Sequence, residues 1–149
     1  MPLYVTKAHP NPVGKDKPRY QPPSNDKLNE EWIEFTNNGS QTVAMDGVSL
    51  HDRTYDAHCK STGERQLQSY TGTLAPGNSV RVHTGSGTSY DSGTVRHLYL
   101  CESNFVWNNG CGDQVILRRN TTLVDWAGYD PNPAEGVILT RKPGTNKLS

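Results

Sequence analysis

The stretch that decides the fold is EEWIEFTNN, residues 30–38. Its residues alternate: Ile33 and Phe35 fall on one face of an extended chain, while Trp32, Glu34 and Thr36 fall on the other. A period of two belongs to a β-strand, whose successive side chains point to opposite faces. Asn38-Gly39 then supplies residues that tolerate the left-handed conformation of a tight turn.

Working outward, the same grammar repeats. TVAMDGVSLHD (42–52) holds two short β segments around Asp46-Gly47, and LYVTKAH (3–9) alternates before a proline- and charge-rich loop at 10–29 that reads as extended chain. Residues 53–66 are polar and read as an excursion between strands. LQSYTGTLAPGNSVRVHT carries a strand, an APGN turn and a run in which Val80 and Val82 point inward. HLYLC (97–101) is a further strand, QVILRRNTTLVDWAGY a hairpin, and GVILTR (136–141) a segment able to close a sheet. Strands every 8 to 14 residues or so, with turn residues between them and no helical apolar period, predict an all-β chain, sandwich or barrel.

Composition agrees. The chain has 149 residues, the length of one domain, with 32% hydrophobic residues and a mean hydropathy of −0.77. So thin an apolar content suits strands with one wet face. Lysine plus arginine equals aspartate plus glutamate, 15 against 15, so no overall field gathers a polyanion. The local exceptions are Lys15, Lys17 and Arg19 in the proline-rich loop, and Arg141 with Lys142 leading into a short basic tail at 142–149. These five residues are the candidates for a nucleic-acid or polyanion contact. No apolar run approaches the roughly 20 residues of a membrane-spanning helix, and MPLYVTKAHP lacks the layout of a signal peptide. A secreted or cell-surface setting is compatible with a chain trimmed from a longer one.

Candidate chemistry is sparse. RVHTGSGTS (81–89) has the glycines of a phosphate loop but neither the lysine nor the helix that a phosphate needs, so it reads as a mobile connection with Thr84, Ser86 and Thr88 available for a partner to order. HDRTYDAHC brings His51, Asp52, Asp56, His58 and Cys59 into one segment, the raw material of a metal-binding hydrolase, but lacks the second ligand pair of a zinc site. Glu30 and Glu34 share a strand face with Trp32, and no nucleophile motif is present. No catalytic residue and no cofactor is therefore expected. Three cysteines leave one unpaired in a monomer; a bridge between Cys101 and Cys111 requires the intervening segment to turn back as a hairpin. Of Trp32, Trp107 and Trp126, at least two are expected to fill the core, because large apolar residues are few; any that is exposed offers a platform for a carbohydrate or a peptide.

Taken in order, LNEEWIEFTNNGSQTVAMDGVSL, TLAPGNSVRVHTGSGTS and VWNNGCGDQVILRRNTTLVDW resemble a lamin-tail domain of the prokaryotic type, over about Leu3 to Arg141. The resemblance implies an immunoglobulin-like β-sandwich. It also implies an accessory module that binds a protein partner or a surface polymer without catalysing a reaction. Val48 stands where such domains commonly carry tryptophan, and the loops at 10–23 and 53–66 are long, which makes them the places for member-specific recognition.

Overall fold

The computed structural model describes residues 2–16 and 21–149. Its elements in chain order are β1 (Leu3–His9), α1 (Asn25–Asn29), β2 (Trp32–Asn37), β3 (Val43–Ala44), β4 (Val48–Tyr55), β5 (Ser61–Ser69) and β6 (Thr73–Leu74), then β7 (Ser79–His83), β8 (Tyr90–Ser92), β9 (Val95–Tyr99), β10 (Asp113–Arg119), β11 (Thr122–Tyr129) and β12 (Leu139–Thr140). One sheet runs β12-β1-β2-β7-β9-β8, and the facing sheet runs β11-β10-β4-β5; β3 and β6 form a small third pair. Every pairing is antiparallel except β7 with β9. This is the expected immunoglobulin-like β-sandwich.

The alternation in β2 sets the core. Ile33 pairs with Ala8 and Val82, and Phe35 with Val5 and Val80, so one face of the first sheet is a continuous apolar layer. Leu50, Val115, Leu117 and Ala127 meet it from the second sheet, and Trp107 closes the end from the loop before β10. The opposite face of β2 is also covered: the Arg81 guanidinium lies 3.9 Å from the Trp32 ring centre and donates to Glu34 Oε2 at 2.9 Å. Stacking and a charge-assisted hydrogen bond thus turn one arginine into a lid. Trp32 and Trp107 are buried, as two of the three tryptophans were expected to be, and Trp126 is partly exposed.

The structure corrects three expectations. The extended reading of 10–29 misses α1, which Ser24 caps by accepting from the Lys27 amide at 3.2 Å and which Leu28 anchors in the interior. Residues 53–66 are not an excursion: they are the ends of β4 and β5 with a short turn between them. Main-chain pairing suffices to form such an edge strand, so apolar alternation never had to mark it. The basic tail at 142–149 turns back on itself, with the Lys142 and Leu148 amides donating to the carbonyls of Lys147 and Gly128, which places Leu148 in the core.

Gly112, at φ +72°, shows how tightly the second sheet begins. A Cβ there would lie 2.3 Å from the Tyr129 carbonyl oxygen, so only glycine fits.

Candidate functional site

The metal-type residues separate: His51 and Asp52 alternate along β4, and Asp56, His58 and Cys59 lie in the turn beyond it. His51 faces outward from β4, its Nε2 at 2.8 Å from Ser49 Oγ and its Nδ1 at 3.4 Å from Glu64 Oε1. Burial holds its pKa below the usual imidazole value. Asp52 points the other way and pairs with Arg65 at 2.8 Å; burial raises its carboxyl. Asp56 accepts from the His58 and Lys60 amides, a turn-closing role, and His58 is exposed. Among the described residues no three His, Cys, Asp or Glu side chains are grouped to hold a metal ion.

Cys59 forms a disulfide with Cys111, so the bridge from Cys101 to Cys111 is replaced by one joining the β4–β5 turn to the loop before β10. Cys101 is exposed and free, because its amide bonds the Gly85 carbonyl and keeps it with the first sheet. Ten residues in sequence separate it from Cys111, but those ten cross from one sheet to the other.

The basic candidates fare unevenly. Lys15 is buried: Nζ donates to Glu31 Oε2 at 2.6 Å, to the Pro10 carbonyl at 2.7 Å and to the Trp107 carbonyl. Glu31 in turn accepts from Thr84 Oγ1 at 2.7 Å and from the Val106 and Trp107 amides at 2.8 and 3.3 Å. Arg141 bonds Asp125 at 3.0 Å and the Val5 carbonyl at 2.9 Å while covering the Tyr4 ring. Lys142 is exposed, and Lys17 and Arg19 lie outside the described residues.

The glycine loop is held by its own chain. Asn25 Nδ2 and Asn29 Nδ2 both donate to the Ser86 carbonyl, and Asn25 Oδ1 accepts from the Ser86 amide. With Thr84 fully buried, the loop does not wait for a partner to order it.

Two adjoining hollows open on the second sheet. The larger, about 510 Å³, lies among Tyr55, Cys111, Asp113, Gln114, Trp126 and Asn146. The smaller, about 260 Å³, lies among Arg53, Glu64, Gln114, Ile116, Arg118 and Trp126. Gln114 and Trp126 belong to both, so the two hollows adjoin along these side chains. Asp113 is the buried acid of the larger one. It accepts from the Arg53, Asn108 and Gln114 amides at 3.1, 3.0 and 2.8 Å, yet burial pushes its pKa up to about 7.

The family model of the Lamin Tail Domain matches residues 6–131. The chain belongs to the lamin tail domain family. Comparison with curated proteins finds no significant match. The lamin tail match spans β1 from Thr6 through the end of β11, and so covers every strand of the second sheet, the smaller hollow and the larger one except for Asn146 and Lys147. The sequence singled out Trp126 only as one of three tryptophans; its position opposite Ile116 on the outward face of β10 and β11 comes from strand register.

Proposed function

We propose that this lamin tail domain is a non-catalytic interaction module that engages a protein partner or a surface polymer. The observation that carries the reading is the employment of its polar side chains. Glu34 is held by Arg81, Glu31 by Lys15, Asp52 by Arg65 and His51 by Ser49 and Glu64. Groups engaged in structural pairs are poor acids, bases and ligands, whereas an open cleft on a rigid sandwich suits recognition. Family membership supports the same reading at the level of the fold.

Neither alternative gains an observation. A polyanion contact needs exposed cations, and Lys15 and Arg141 are occupied within the fold. A metal-binding hydrolase needs converging ligands, and Cys59 is consumed in the disulfide. The purified domain is expected to show no turnover on nucleotides, esters or glycosides while retaining a partner in affinity capture. Turnover that disappears in Glu34→Gln or His51→Ala overturns the proposal.

A further inference from the structure

We infer that the paired hollows beside Trp126 form a binding site for a neutral polysaccharide chain, with the indole as its stacking platform. The inference rests on the interaction-module reading and specifies its surface and ligand class.

The shape comes first. Trp126 sits on β11 opposite Ile116 of β10, with one hollow of about 510 Å³ and another of about 260 Å³ sharing its ring as a wall. Two adjoining hollows along a sheet suit an extended ligand that crosses the aromatic ring better than one compact molecule. A half-buried indole is held in place by its neighbours yet offers a flat apolar surface, the counterpart of the C–H face of a pyranose ring.

The polar groups are fixed in position. Gln114 Oε1 receives Arg53 Nε and Nη2 at 3.2 and 2.9 Å, which orients the amide and leaves its NH2 to donate. Asn146 donates to the Trp126 carbonyl at 2.7 Å, which leaves its side-chain oxygen to accept. Preset amides beside an aromatic face match hydroxyl groups that both donate and accept.

Charge selects among ligands. Arg118 pairs with Glu64 at 2.6 Å and Lys147 with Asp130 at 2.7 Å, while Arg53 gives its guanidinium to Gln114 and its main-chain amide to the buried Asp113. Positive and negative groups therefore balance along the walls, and no local field favours a polyanion or a polycation. A protein partner is disfavoured because interface cores need several apolar anchors, and among the described residues only Leu123 of the exposed large aliphatic and aromatic side chains borders a hollow, the smaller one, while Val13, Tyr90, Val137 and Ile138 line neither.

The test is titration of tryptophan fluorescence and affinity electrophoresis with cellohexaose, chitohexaose, xylan and mannan, with heparin and duplex DNA as charged comparators. At least one neutral glycan is expected to bind saturably, with affinity changing less than about twofold between roughly 50 and 500 mM NaCl. Trp126→Ala should weaken that binding by roughly tenfold or more, and Gln114→Ala should weaken it too, with the melting temperatures of both variants close to the parent's. Failure of all four neutral glycans, unchanged binding by Trp126→Ala, or binding that collapses with salt overturns the site. If no neutral glycan binds while the parent still captures a partner, the glycan site fails and the interaction-module reading stands; substrate turnover by the parent defeats that reading instead.

Discussion

Lys15 Nζ lies 2.6 Å from Glu31 Oε2 in the interior of the sandwich, with side-chain exposures of 6% and 0%. The pair ties the proline-rich loop to the start of β2, and the remaining oxygen of Glu31 tethers Thr84 and the main chain at Val106 and Trp107. A polar network of this kind has all its valences filled, so removal of one member leaves another unsatisfied.

Lys15→Met should therefore destabilise the domain by about 3–5 kcal/mol, because it leaves the Glu31 carboxylate buried without its counter-charge. Urea denaturation measures it, and a loss below about 1 kcal/mol would show that water reaches the pair. Lys142→Ala, at an exposed position, should change stability by less than about 0.5 kcal/mol.

The disulfide closes a separation of 52 residues, for which chain entropy gives a stabilisation of about 4 kcal/mol. Cys111→Ser and Cys59→Ser should each lower the urea midpoint by similar amounts, and Cys101→Ser should leave it unchanged. Non-reducing peptide mapping should join the peptides of Cys59 and Cys111; a link through Cys101 contradicts the structure.

Stability should depend on pH through groups of opposite sign. Burial lowers the pKa values of His51, His83 and His97 from 6.5, so their contribution is complete above that value and is lost as the pH falls below it. The geometry of one pair reinforces this effect. His83 Nδ1 donates to the Asn29 carbonyl and its Nε2 accepts from His97 Nδ1 at 2.8 Å, so a proton added to His83 sets two N–H groups against each other.

Asp113 acts the other way. With a pKa raised from 3.8 to about 7, its contribution is present at low pH and is lost as the pH rises toward 7. Asp113→Asn should therefore steepen the rise of stability between about pH 4 and 7, as read from urea midpoints, while His83→Phe should flatten it. Parallel profiles for parent and Asp113→Asn would show that the carboxyl titrates normally.

Leu148 is 1% exposed and packs in the common core. Leu148→Ala should cost about 2–4 kcal/mol by thermal or urea denaturation, as large-to-small core changes do. A tail that behaves as solvated chain would show almost no effect.

The sequence by itself determined what depends on near neighbours. The alternation of Ile33 and Phe35, the inward valines at 80 and 82 and the hairpin around Asn120 are local patterns, and each became the strand or turn it describes. The motifs built from such patterns resemble those of lamin tail domains, and the family match over residues 6–131 bears the resemblance out.

Tertiary structure alone decided what depends on where distant segments meet. Cys111 takes Cys59 and not the nearer Cys101, Lys15 turns inward although the sequence offers it as a polyanion contact, and Trp126 stays on the outside while Trp32 and Trp107 are covered. The physical reason is common to all three. A side chain's partner is set by the packing of two sheets and their connecting loops, and the pairs that result, 16 residues apart for Lys15 and Glu31 and 52 for the disulfide, leave no periodic trace in the chain.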